Sequence, residues 1–340
     1  KHAYLVKPVT AVRVRHGTND PTPWPPEWPA GENPMPGAIL DYYLPADAKG
    51  AVTLDVLDAA GKVVRSYSSN DPALNPHPAT DMAAYDKVCQ QRPTATYCGL
   101  PLYWPAKPLV LSTKAGMHRF AWDMRYEPLP VANIEDAGDE GATGAVPHAT
   151  YDDVNAPWAP AAVYTVRLTV DGTSYTQPLT LKMDPRVKTP AAALMQVAAL
   201  SKEMYDGAMA AHAAYVQARD LAAQLDKLSG PDVSAFKAQV ESLAPAPMAG
   251  RGGRRGGGGR RGGPGGDTVT LVAASSAMMG AAMGMQGADV APTDRQVAAC
   301  ASARKLGAAV MPKWSAVKTR LAAFNAKRRA AGQPEVTLPK

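Results

Sequence analysis

The sequence predicts an α+β chain: an antiparallel β-sandwich of immunoglobulin or fibronectin type, followed by a long helical hairpin or small helical bundle. Three observations predict it. The front half is rich in Pro, Tyr, Val and Thr and holds five of the six Trp, whereas the back half is rich in Ala, Met, Leu, Lys and Arg. That shift reads as a β region followed by an α region. The stretch Ala115–Tyr126 places His118, Phe120, Trp122 and Met124 on one side, interrupted by Arg119, Asp123 and Arg125, the alternation of a half-buried strand. Finally, Asp171-Gly172 separates two alternating runs, the strongest short hairpin signal.

In order, His2–Arg15 reads as an extended segment. Residues 17–37 form a strap rich in Pro and Trp, because proline blocks regular ladders and favours polyproline-like stretches. Strands are expected at Ala38–Leu44, Val52–Leu57 and Lys62–Ser68, the last two joined by the turn Asp58-Ala-Ala-Gly61. A Pro-rich insertion fills 69–113, the strand Met117–Met124 follows, and 133–157 is an acidic, Gly-rich loop. Ala162–Val170 and Ser174–Met183 form the hairpin, with Pro178 marking a sheet edge or a bulge. Six or seven short strands without intervening helices suggest the sandwich.

Helices are expected from residue 190 onward. Thr189 is the expected N-cap of a helix over 190–229, with Pro190 at its first position and Gly230-Pro231 as its stop. A shorter helix covers 232–243. The last helix opens with the capping-box pair Thr293 and Gln296 and carries the seam Val310, Trp314, Val317, Leu321 and Phe324; Pro312 predicts a kink, and Gly332 ends it. The two long helices are expected to pack antiparallel. The organisation is therefore 1–37 as an extended exit strand and strap, 38–186 as the sandwich with long loops, and 187–340 as the helical domain. Within the last, 250–266 holds eleven Gly and five Arg, cannot bury a core and is expected to be disordered.

Net charge is +6 and unevenly spread. The last helix is strongly basic and the 133–157 loop acidic; each reads first as a solvated face. The Gly/Arg run carries no interleaved aromatic, so nucleic acid is not an expected partner. Residues 268–288 are uncharged but mostly Ala, Gly, Ser and Met, too weakly apolar for a membrane span. They read as a packed core helix in which Gly280 and Gly284 allow close approach, with methionines as core filling rather than copper ligands.

The chain shows no HExxH, GxSxG, Walker or GxGxxG motif. No catalytic, cofactor-binding or metal-ligating residue is assigned, and no cofactor is expected. His118 and His212 read as packed histidines, and the acidic pairs Glu135/Asp136 and Asp152/Asp153 as solvated turns. Cys89 and Cys98 flank a short loop and are the candidate disulfide, which suits an oxidising compartment; two free thiols are the rival reading. Trp24, Trp28, Trp104 and Trp158 are the candidate contacts for a glycan or a partner.

Several phrases resemble the C-terminal region of secreted bacterial BNR-repeat, sortilin-like β-propeller proteins, often labelled glycosyl hydrolases. They are Gly31-Glu-Asn-Pro34 with Gly37-Ala-Ile-Leu-Asp-Tyr-Tyr-Leu44, Val52–Arg65, Ala115–Tyr126, Ala162–Val170, and Gln177–Val187 ending in Met-Asp-Pro-Arg-Val. Ala291-Pro-Thr293 before a Trp-containing helix and Asn325 to Gly332 also look similar. The turn around Asp58–Arg65 and the Gly116–Asp123 strand resemble the immunoglobulin-like repeat of flagellar hook-capping proteins as well. In the propeller family, Asp-box repeats precede this region; none occurs here, so no propeller residue role transfers to this chain. Sandwich strands, strap-like prolines and no active-site constellation, taken with this resemblance, lead to the expectation of a non-catalytic module of a secreted, periplasmic or cell-surface protein, docking on a β-propeller or other envelope protein. The alternative is an accessory, glycan-binding part of a carbohydrate-active hydrolase. A third reading makes the basic last helix the contact in a cell-surface assembly.

Overall fold

The computed structural model of the chain describes residues 2–15, 27–29, 31, 35, 37–71, 82–91, 110–129, 156–246 and 269–339. The chain divides into two compact units, Lys1–Lys188 and Thr189–Lys340. Most of the strap, the acidic loop, the Gly/Arg run, Trp24, Trp104 and Cys98 lie outside the described residues.

The first unit holds strands β1 (Tyr4–Leu5), β2 (Ala11–Arg13), β3 (Ala38–Leu44), β4 (Thr53–Leu57), β5 (Val63–Ser68), β6 (Gly116–Trp122), β7 (Ala162–Val170) and β8 (Thr173–Met183), with helix α1 (Met82–Gln91) between β5 and β6. A three-stranded antiparallel sheet runs β1-β3-β6, and a five-stranded sheet runs β2-β8-β7-β4-β5. Strict alternation positions the core: in β3, Ala38, Leu40, Tyr42 and Leu44 point inward, while Ile39, Asp41 and Tyr43 point outward. Leu54, Val56, Val166, Leu168, Leu179, Phe120 and Trp122 complete one core shared by both sheets. Asp171 and Gly172 turn the β7–β8 hairpin with φ of 48° and 80°, the mirror-image turn that suits strand twist. The Asp171 carboxylate accepts from the amides of Lys49 and Gly50, which fixes the hairpin tip.

The expected immunoglobulin- or fibronectin-like antiparallel sandwich is not what forms. β2 pairs with β8 in parallel, Ala11 opposite Leu181 through Arg13 opposite Met183, so the larger sheet is mixed and curls into a half-barrel. The extended N-terminal segment is the cause. β1 joins one sheet and β2 the other, so residues expected to lead out of a propeller are built into this unit. Pro178 sits opposite Thr165, in the part of β8 that β2 does not reach, where its missing N–H removes no bond to a second neighbour.

The second unit holds α2 (Ala191–Leu225), α3 (Pro231–Leu243), α4 (Leu271–Gly284) and α5 (Asp294–Ala330). A hairpin of the two long helices is not what forms either. α4 packs extensively against both α2 and α5, more than those two pack on each other. A methionine locks the arrangement. A Cβ added at Gly207 of α2 would lie 2.5 Å from Met278 Sδ, and one added at Gly307 of α5 would collide with Met278 Cε. These are the glycines that allow close approach; Gly280 and Gly284 face open space. Phe236, Val240, Val310, Trp314 and Leu321 fill the rest of the core.

Helix ends follow the sequence in part: α2 stops at Leu225, short of the expected 229, and Gly230 is the N-cap of α3 with Pro231 at its first position. Thr293 and Gln296 form the capping box of α5. Thr189 does not cap α2: Pro190 takes that position, and the Thr189 hydroxyl donates to the Asp289 carbonyl at 2.5 Å. α5 continues through Pro312. Pro312 and Ala308 are both exposed, so water can take the carbonyl that proline leaves without a helical partner.

Candidate functional site

The corner after β6 gathers several polar and aromatic groups. Trp122 is fully buried, and its indole Nε1 donates to the Arg125 carbonyl at 2.9 Å. The Asp123 carboxylate accepts from the Arg125 amide at 3.0 Å, and Met124 takes φ of 60°. This left-handed residue reverses the chain and brings Arg125 into a bridge with Trp158 just ahead of β7. The Arg125 guanidinium lies 4.4 Å from the Trp158 ring centroid, with Arg13 at 5.6 Å and Arg15 at 5.8 Å. Arg13 also donates to the Ala159 carbonyl and Arg125 to the Ala156 carbonyl. Each cation–π contact contributes about 0.5 to 2 kcal/mol, more as water is excluded. The cluster ties β2, the β6 corner and the approach to β7 together.

Beside it, Glu127 accepts from the Ser66 amide and pairs with Arg65 at 3.3 Å. Burial raises the Glu127 carboxyl above its ordinary range, while Arg65 opposes the rise. Burial likewise pushes Tyr67 far up, beneath the Arg65 guanidinium at 4.7 Å.

The outer face of the three-stranded sheet carries a different feature. Tyr4 lies opposite Tyr43, and Tyr43 opposite Met117, so the three form one cross-strand row. Tyr4 is 54% exposed and Met117 63%. The next row is the two-pronged Arg119–Asp41 pair, at 2.8 and 2.9 Å. The Tyr4–Tyr43–Met117 row was not assigned from sequence, because it needs the pairing of β1 with β3. Tyr42-Tyr43 in an alternating strand was its only visible signal.

The sequence-assigned residues fall into distinct settings. Trp158 is half-buried against the core and flanked by three guanidinium groups, which disfavours a sugar on the same faces. Trp28 is exposed. Cys89 is disulfide-bonded, Cys300 is a free, buried thiol, and Cys98 lies outside the described residues. His118 packs on Tyr42 at 5.1 Å, and its Nε2 lies 2.6 Å from the Lys114 carbonyl, so that nitrogen carries the proton. His212 is half-buried in α2, and burial lowers its pKa. Among the described residues no group of three or more His, Cys, Asp or Glu side chains is placed to hold a metal, and no helix is long and apolar enough to cross a membrane. Comparison of the chain with protein-family models, curated proteins and solved structures finds no match.

Proposed function

We propose that the chain is a non-catalytic interaction module of a secreted or cell-envelope protein, docking on a β-propeller or another protein. The observation that carries this reading is the Tyr4–Tyr43–Met117 row, exposed at Tyr4 and Met117 and half-buried at Tyr43, beside the Arg119–Asp41 pair. Tyrosine, methionine and arginine are enriched at protein interfaces, where a rigid apolar body is buried and a polar tip stays satisfied. The paired strands present the row on a backbone that is already ordered, so binding has to order only the side chains. The disulfide at Cys89 supports an oxidising compartment. The resemblance to the region that follows BNR-repeat propellers supports a propeller as the partner.

Calorimetric titration of the chain against a purified BNR-repeat propeller tests this. Saturable binding that weakens at least tenfold on Tyr4→Ser or Met117→Ser supports it; absence of binding overturns the propeller as the partner. Exposed Trp28 favours the second reading, glycan binding. Glycan-array binding that disappears on Trp28→Ala, without propeller capture, would establish that reading instead.

A further inference from the structure

After α5 the chain turns at Gly332, with φ of 70°, and runs back along the helical unit as an extended segment, Pro334–Pro339. Side chains of α2 and α5 hold that segment largely through its backbone, with an Arg329–Glu335 ion pair at 2.6 Å beside them. Asn325 Nδ2 donates to the Val336 carbonyl at 2.7 Å, and the Val336 amide donates to Asn325 Oδ1 at 3.0 Å. Gln224 repeats the pattern one residue on: its Nε2 donates to the Thr337 carbonyl at 2.7 Å, and its Oε1 accepts from the Thr337 amide at 3.1 Å. Gln217, seven residues before Gln224 and so on the same face of α2, donates to the Pro339 carbonyl at 3.2 Å. Arg328 donates to the Pro334 carbonyl at 2.7 Å. Asp220 accepts from Gln224 and fixes the orientation of that amide. Val336 is buried in the helical core, and Leu338 packs beside it.

Two side-chain amides, each pairing with both the N–H and the C=O of one residue, reproduce what a neighbouring strand offers in a sheet. Recognition through backbone bonds plus pockets for alternate side chains is how proteins take up extended peptides. Here Val336 and Leu338 are the alternate side chains that pack inward, while Thr337 is exposed.

We propose that the groove between α2 and α5 is a binding site for an extended peptide and that Pro334–Pro339 is its tethered occupant. The ligand class is an extended segment with a β-branched apolar residue at the Val336 position and a second apolar residue two positions on. Its occupant in trans is the same segment of a second copy of this chain. A short tether holds the segment at an effective concentration of order millimolar, so the untethered peptide is excluded while the tether is intact.

The test starts from the full chain, with a protease recognition sequence inserted between Gln333 and Pro334. The folded protein is cut, the released segment is removed, and a fluorescent Pro334–Lys340 peptide is titrated by anisotropy. The cut chain is expected to keep its helical circular dichroism and bind the peptide saturably, at least a hundredfold tighter than the uncut chain does. Gln224→Ala and Asn325→Ala are each expected to weaken the peptide about tenfold, since each deletes two backbone bonds. A Val336→Asp peptide is expected not to bind. Loss of helical signal on removing the segment overturns the proposal, because the segment is then an integral part of the fold. So does a folded cut chain that ignores the peptide or binds the native and Val336→Asp peptides equally.

Discussion

Gly307→Ala is expected to destabilise the helical unit, against the usual direction of a glycine-to-alanine change inside a helix. Helix propensity alone favours alanine by about 1 kcal/mol. The opposing term comes from Met278. On the α2 side an added Cβ at Gly207 would lie 2.5 Å from Met278 Sδ, when contacts between such atoms prefer about 3.5 to 4.0 Å. The sulfur would have to move by about 1 Å, and the same side chain is confined on the α5 side by Gly307. A methionine tip usually yields cheaply, but here retreat from one helix drives it into the other. Overpacking of this kind costs about 1 to 3 kcal/mol, so each single alanine should come out about 1 kcal/mol less stable. The pair Gly207→Ala/Gly307→Ala closes the slot from both sides and should cost more than the two singles summed. Met278→Ala costs about 2 to 5 kcal/mol by itself, yet in that background Gly307→Ala should become stabilising by about 1 kcal/mol. Urea denaturation followed by far-ultraviolet circular dichroism measures every corner of both cycles, Gly207 with Gly307 and Met278 with Gly307. A stabilising Gly307→Ala in the otherwise unchanged chain would refute the reasoning.

Three further outcomes follow from single sites. Gly37 holds φ of 116°, and a Cβ there would run into the Trp122 carbonyl, so Gly37→Ala should cost about 2 to 4 kcal/mol in thermal or urea melts; a loss under about 1 kcal/mol would contradict it. Arg186 holds the Asp184 carboxyl down to about 2, through bonds of 2.6 to 3.0 Å, so its contribution is present above the ordinary value of 3.8 and disappears as pH falls toward 2. Asp184→Asn should flatten that part of the acid-unfolding curve, and an unchanged curve would exclude the pair as a contributor. Burial lowers the His212 pKa below 6.5, so the unfolded chain binds this proton more readily and stability falls as pH drops through and below that value. His212→Gln should lessen the loss between neutral and mildly acid pH, read by equilibrium denaturation at a series of pH values.

The strands were legible where alternation and turn chemistry agreed. Ala38–Leu44 and Ala162–Val170 form at the residues that alternation marks, because both bury one face and expose the other. The sheet order was not legible. β2 is three residues long, and nothing in Ala11-Val12-Arg13 says that it runs parallel to a strand 170 residues away. α1 was hidden in a Pro-rich stretch whose composition argues for a loop. The candidate site was less legible still. The Trp158 setting requires Arg13 and Arg15 from the N-terminal segment and Arg125 from the corner after β6, which come together only through the β2–β8 pairing and the positive φ of Met124. The exposed row likewise depends on cross-strand register, a property of pairs rather than of segments.

The helical unit shows why an amphipathic reading led to the wrong partner. Helices with one apolar face and one polar face are expected to pair with each other, and α2 and α5 both carry such faces. A helix that packs on two sides needs a different sequence: no charges, no polar face, and side chains small enough for backbones to approach on either flank. Residues 271–284 fit that description, with Ala274 and Ser275 buried, the Ser275 hydroxyl donating to the Ala208 carbonyl of α2, and Met278 reaching into the space over Gly207 and Gly307. The weak apolarity that argues against a membrane span is the same property that suits a helix wedged between two others. The wedge also explains the position of the C-terminal segment. Leu271 begins α4, and the α2 positions that hold the extended chain, Gln217 and Gln224, lie beyond the Ala208–Ser275 contact toward the end of α2. There, Val336 supplies apolar surface to the same core as Leu225 and Leu321. One short helix thus sets the close approach at one end and leaves the other end to be closed by a strand of chain held through its backbone.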